Sequence, residues 1–301
     1  MKVSVVIPAY NHEKFIGPAI DSVLGQSYQD FELIIVDDGS TDNTAGVIKG
    51  YDDSRIRYFY QDNQDAFNTI NRGMGLAGGD YIAILNSDDI YSLDRLQRLL
   101  DVQQETGAQC LFSDVIPISD SGEEFTDPNF GWNIWHQKNR AFFKKSGDIY
   151  TAFLKGNFMV TTSNLFMTRA AAEKVGKFCS LRYLHDYDFI FRMMLAFPDK
   201  VHYVADEKLL YYRIHDGNTL GEAAILGREQ DQQVIRKYML ARIPEEFRAY
   251  VDAGADRLVE LEQELQEVRL SVAGGTEPSV KDCGIRFLSA LKYKIGKKLQ
   301  S

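Results

Sequence analysis

Three segments of one design, in fixed order, set the limits on this chain: VSVVIPAYN over Val3 to Asn11, IIVDDGSTDNT over Ile34 to Thr44, and GGDYIAILNSDDIY over Gly78 to Tyr91. In each, an apolar run of strand length gives way at once to small, acidic or amide residues. Buried parallel strands read as such continuous apolar runs. In open α/β sheets the ligand lies beyond the carboxyl ends of the strands, so three acid-rich strand ends predict one site.

Strands are predicted at 3–8, 32–37, 55–60, 81–86 and 109–117, alternating with helical patterns at 12–26, 42–50, 65–77 and 92–106. That alternation predicts an α/β fold, a mostly parallel sheet flanked by helices on both faces. The stretch from Ser119 to Ser146 is aromatic-rich without clean periodicity and is read as a long loop, either a lid or acceptor-binding element or an ordinary packed excursion. A Thr/Ser-rich strand is expected from Met159 to Met167, a helix from Arg169 to Val175, another from Tyr183 to Phe197, and a strand from Val201 to Arg213.

A catalytic domain over residues 1–218 is expected to give way to a C-terminal helical extension at 219–272 and then a linker with a basic tail at 273–301. In the extension Leu258, Leu261, Leu265, Val268 and Val272 follow 3,4 spacing, fitting a homodimer seam or packing on the chain's own body. Residues 281–301 hold five lysines and one arginine against one aspartate, with Leu288, Leu291, Ile295 and Leu299 on one helical face. A basic amphipathic helix of this kind suits peripheral contact with an anionic membrane.

The net charge of −9 disfavours a general nucleic-acid binder, whose surface must be basic. Three cysteines, Cys110, Cys179 and Cys283, are widely spaced with no CxxC, which favours reduced thiols over a disulfide framework or zinc site. The apolar run at Val3 to Pro8 is too short for a signal-peptide core, and no stretch approaches a membrane span. The expectation is a cytoplasmic protein with peripheral contact at the cytoplasmic face of the membrane.

With GDYIAILNSDDIY, the Gly176-Lys177-Phe178 turn, HDYDFIFRM and YYRIHDGNT in order, the chain to about Asn218 resembles the family-2 inverting, nucleotide-sugar-dependent glycosyltransferases of GT-A fold. The resemblance implies a nucleotide-sugar donor, UDP-linked first and dTDP-linked second. It also implies a glycan or lipid-linked acceptor in cell-surface polysaccharide synthesis and a divalent cation, Mn²⁺ or Mg²⁺. Such a cation offsets the charge that grows on a departing diphosphate. On the family's metal motif Asp88 is the principal metal ligand, with Asn86 at the motif's first position and Ser87 beside it as a nucleotide contact; Asp89 accepts hydrogen bonds behind the metal ligand or caps the turn. His215 resembles a histidine that approaches the metal or diphosphate, with Arg213 a phosphate partner.

Pro8, Ala9, Tyr10 and Asn11 are expected around base and ribose, and Asp38 reads the base, with Asp37 as its understudy. Asp38 and its followers also suit a plain turn and helix cap. Asp62 or Asn63 meets the nucleoside; Arg72 meets phosphate or forms a surface ion pair. Asp186, in His185-Asp186-Tyr187-Asp188, matches the family's general base, here with His185 in place of the usual Glu. Asp188 is the alternative base, about 200° around the helix, or a stabiliser of the helix start.

Two other readings keep the same fold. A sugar nucleotidyltransferase is expected to carry a Gly-rich, basic loop after its first strand, where this chain has Ala9-Tyr10-Asn11-His12. A non-catalytic binding protein on the same scaffold is expected to lack the metal carboxylate or the base, and both Asp88 and Asp186 are present.

Overall fold

The computed structural model describes residues 1–181, 184–215 and the isolated positions Val234, Lys237 and Tyr238. The chain divides into two compact units, Met1–Glu222 and Ala223–Ser301, and the architecture below is that of the first. The expectations for a dimer seam and a basic membrane-contacting tail fall outside the described residues.

Among the described residues eight strands form one sheet: β1 (Val3–Ala9), β2 (Phe31–Asp37), β3 (Ile56–Tyr60), β4 (Tyr81–Ile84), β5 (Ile90–Tyr91), β6 (Cys110–Ile118), β7 (Phe166–Thr168) and β8 (Val201–Arg213). Their order is β3-β2-β1-β4-β7-β6-β8-β5. The first four are parallel and in step: Val3 pairs with Phe31 and Tyr81, and Ala9 with Asp37, which faces Tyr60. Level pairing brings the polar residues that end these strands to one rim.

The other half is mixed. β7 runs antiparallel to both β4 and β6, β5 is antiparallel to β8, and only β6 and β8 are parallel, across an irregularity at Asp114. The expected mostly parallel sheet is therefore parallel on one side of β4 and mixed on the other, because the three-residue β7 enters between β4 and β6 in the opposite sense. The Thr/Ser-rich strand expected over Met159 to Met167 shrinks to Phe166–Thr168. Thr162–Asn164 instead forms a short 3₁₀ turn whose Thr161 hydroxyl accepts from the Ser163 amide.

Helices α1 (Ile16–Leu24), α2 (Thr44–Lys49), α3 (Ala66–Leu76) and α4 (Arg95–Thr106) follow the first strands. Further helices are α5 (Gly131–Ser146), α6 (Ile149–Lys155), α7 (Arg169–Val175) and α8 (His185–Ala196). The expected long loop at 119–146 is corrected by α5, a sixteen-residue helix. Its aromatics do not segregate into a stripe because Trp132, Trp135, His136 and Phe143 serve different neighbours.

Val3, Val5 and Ile7 pack with Ile16, Ile20 and Val23 of α1 and with Leu96 and Leu99 of α4. Each such buried aliphatic side chain contributes roughly 1.5–3 kcal/mol. On the other face Gly73 of α3 lies against β1, where a Cβ would come 2.2 Å from Val6 Cγ1. Arg95, without exposed surface, donates to Ser113 Oγ, to the Asn164 carbonyl and to Asn164 Oδ1, with Tyr91 stacked beneath it. Asn164 Nδ2 in turn donates to the carbonyls of Ser113 and Met159. These bonds moor the 157–165 segment, one wall of the site, to β6. Among the described residues no helix is long and apolar enough to cross a membrane.

Candidate active site

Beyond the carboxyl ends of β1, β2 and β4 opens a cleft of about 640 Å³. Pro8, Ala9, Tyr10, Asp38 and Asn63 line one side, Asn86, Ser87 and Asp88 the floor, and Asn157, Thr162, His185 and Asp186 the other; Trp135 and Tyr212 stand at its edge. Elements far apart in sequence thus meet around one volume, as the strand ends predict.

On the first of these sides, Asp38 Oδ1 accepts from Gln61 Nε2 at 2.6 Å and the Gln64 amide at 2.9 Å. The turn behind it needs Gly39: φ is +78°, and a Cβ would lie 2.9 Å from the Asn63 backbone nitrogen. Asp37 is buried behind the rim, accepting from the Ser40 amide and the Tyr58 hydroxyl, and does not line the cleft. Asn11 holds the Thr41 amide through Oδ1, and Asp62 is exposed; neither lines the cleft. Arg72 donates to the Tyr60 carbonyl and Gln61 Oε1 and lines a separate hollow with Lys177. Asp65 and Val160, both on the cleft wall, have φ of +70° and +80°. Val is strained in that conformation, and such strain collects at functional sites.

The floor is a dense polar knot. Asp88 Oδ2 lies 3.1 Å from His215 Nε2. Burial raises the Asp88 carboxyl, but the His215 hydrogen bond and the neighbouring imidazoles outweigh it, and the net shift is downward. Asp89 has the opposite fate: burial, then the charge of Asp88, push it well above the usual carboxylate range. It accepts from Ser163 Oγ at 2.5 Å and from the Arg213 amide at 2.9 Å. The Arg213 guanidinium donates to the carbonyls of Asp88, Ser119 and Asp120, and so clamps the loop that carries the acids.

His12, not singled out as a site residue from the sequence, belongs to this knot: ligand atoms of His12, Asp88 and His215 all lie within 4.8 Å of one another. One carboxylate and two imidazoles, with Ser87 hydrogen-bonded to His12 Nδ1 at 2.7 Å, fit a divalent cation. The position one residue past the first strand motif was the only sequence signal.

Across the cleft, α8 begins at His185 and carries Asp186 in its first turn. Asp186 Oδ2 accepts from Asn157 Nδ2 at 2.9 Å and Oδ1 from the Tyr187 amide at 2.7 Å. Burial raises its pKa, opposed by His185 and these hydrogen bonds without being cancelled. Asp188 is 1% exposed, paired with Arg192 Nε at 2.7 Å, and absent from the cleft lining.

Residues 4–175 match the family model described as Glycosyl transferase family 2. An uncharacterized glycosyltransferase of Nostoc sp. is 32% identical over 237 residues, 77% of this chain and 70% of that protein. TuaG of Bacillus subtilis, described as a putative teichuronic acid biosynthesis glycosyltransferase, is 40% identical over 37% of this chain and 44% of its own length. Among solved structures, Staphylococcus aureus TarS with UDP-GlcNAc aligns at TM-score 0.62 and 17% identity, over 86% of this chain and 70% of that one. A mannosyltransferase of Pyrobaculum calidifontis with GDP-Man and Mn²⁺ aligns at TM-score 0.61 and 15% identity, over 96% and 79%. These likenesses show the GT-A fold.

Proposed function

Because the chain belongs to glycosyl transferase family 2, we propose that it is an inverting enzyme. It moves a sugar from a nucleotide sugar, UDP-linked first and dTDP-linked second, to a hydroxyl of a glycan or lipid-linked acceptor. The observation that carries this reading is the placement of Asp38, Asp88 and Asp186 around one 640 Å³ cleft.

On this reading Asp38 accepts from the base N–H, with Asn63 beside it, while Pro8, Ala9 and Tyr10 bed the nucleoside. Asp88 and His215 would hold a divalent cation, which offsets charge on the leaving diphosphate when bound. Arg213 keeps the Asp88 loop in place through its carbonyl contacts, and buried Asp89 ties that loop to β8. Asp186 takes the proton of the attacking acceptor hydroxyl. Its ionised form is helped by the Asn157 and Tyr187 donors and the start of α8. Direct displacement with the base opposite the leaving group inverts the anomeric centre. TuaG's description supports a role in polysaccharide assembly.

The test is thermal stabilisation by UDP, dTDP, GDP and CDP, each with and without Mn²⁺, for the native protein and Asp88→Ala. A ligand at 100 times its dissociation constant adds about 2.7 kcal/mol. One nucleotide is expected to stabilise strongly with Mn²⁺ and to lose that effect in Asp88→Ala. No stabilisation by any nucleotide at millimolar concentration would favour a non-catalytic scaffold.

A further inference from the structure

His12 sits where the first strand turns into α1, and its backbone is fixed at both ends. Its N–H donates to Thr44 Oγ1 at 2.9 Å, and its carbonyl accepts from the amides of Phe15 and Ile16. The ring is fixed as well. Ser87 Oγ lies 2.7 Å from Nδ1, tying His12 to the residue before Asp88. Phe15 packs at its edge, 5.7 Å between centroids, and the same phenyl ring lies 4.9 Å from His215. One aromatic therefore orients both imidazoles, whose centroids are 5.8 Å apart.

The consequence is chemical. A cation held by a single carboxylate depends on nucleotide phosphates for most of its ligands. Two imidazoles and a carboxylate with ligand atoms within 4.8 Å form a protein set that can take the cation first. Imidazole nitrogen also shifts preference from Mg²⁺, which favours oxygen, toward Mn²⁺ and Co²⁺.

We infer that His12 is a third protein ligand in a His12, Asp88, His215 site that binds a Mn²⁺-class cation before, and without, the nucleotide sugar. The inference rests on the cation role given to Asp88 and His215 above, and goes further in adding His12 and making binding independent of nucleotide.

The experiment titrates the full-length chain with Mn²⁺ and follows the free-ion electron paramagnetic resonance signal, with and without UDP, for native protein, His12→Gln and Asp88→Asn. Native protein is expected to bind one Mn²⁺ without UDP, Mg²⁺ to compete at least a hundredfold worse, and His12→Gln to weaken Mn²⁺ at least tenfold. Electron spin-echo modulation on the native complex is expected to report two directly bound imidazole nitrogens. This reading decides the matter even if His12→Gln does not fold. Binding that requires UDP and is lost in Asp88→Asn would overturn the inference and leave the donor-site reading standing. A single nitrogen coupling, or unchanged affinity in His12→Gln, would remove His12 from the site. Absence of binding with and without UDP would sink both.

Discussion

The two buried acids nearest the chemistry, Asp89 and Asp186, are both raised by burial, and for different ends. Asp89 serves as an acceptor for Ser163 and the Arg213 amide inside the floor. Asp186 faces the cleft, and in the proposed role of base its ionised form is the one that takes a proton. A base with a raised pKa is active only above that pKa, so kcat/KM is expected to fall as pH drops through a value above the ordinary carboxylate range of about 4. Linkage has a definite sign. The fold binds this proton more tightly than the unfolded chain does, so Asp186 costs stability as pH rises from the ordinary value through the raised one. Asp186→Asn is therefore expected to lower kcat by roughly 10²–10⁴-fold while leaving the melting temperature at neutral pH equal or higher. Steady-state kinetics and calorimetry on the same preparation check both halves, and a lower melting temperature with intact kcat would contradict the assignment. At this scale the sequence disclosed acids at strand ends but not what each faces. Asp37 and Asp38 are adjacent, yet one turns to Tyr58 behind the rim and the other to the cleft. His12 escaped notice because no periodicity marks a residue whose partners in the floor, Ser87, Asp88 and His215, lie 75 and more positions away.

Elements carry the next level of control. Arg95 has no surface exposure, and its guanidinium joins α4 to the wall segment through Ser113 and Asn164. Arg95→Met keeps the stem and removes the donors, and is expected to cost about 1.5–3 kcal/mol in urea unfolding, the range for hydrogen bonds to a charged group. Helix α5 presents Trp135, 39% exposed, at the cleft edge, while Trp132 stacks on His136 and Tyr212 behind it. An exposed indole tilted against Trp132 and His136 offers a flat apolar face, which we propose meets the acceptor sugar. Trp135→Ala is expected to raise the acceptor KM about tenfold, some 1.4 kcal/mol, with the donor KM within twofold; an equal change in both would place Trp135 elsewhere in the reaction. Strands β1 to β4 were readable because unbroken apolar runs have few alternatives. Helix α5 was not, since its aromatics answer to several neighbours, and the antiparallel sense of β7 is set by tertiary pairing that three residues do not encode.

At the scale of the whole molecule, the sheet joins a parallel half that carries Ala9 and Asp38 to a mixed half closed by β8, which runs along β6 and is, among the described residues, the one strand that pairs with β5. A chain ending at residue 200 would leave β5 without a partner, β6 with an open edge, and the Asp88 loop without the Arg213 clamp. Such a truncation is expected to show no cooperative thermal unfolding and no stabilisation by nucleotide, read by circular dichroism. The clamp also imposes an order in time. Synthesis runs from the amino terminus, so Asp38 and the acid-bearing loop leave the ribosome more than a hundred positions ahead of Arg213. On the proposed reading, a nascent chain is expected to gain activity only once its last described strand has emerged, so a stalled or broken translation product is expected to leave activated sugar unconsumed.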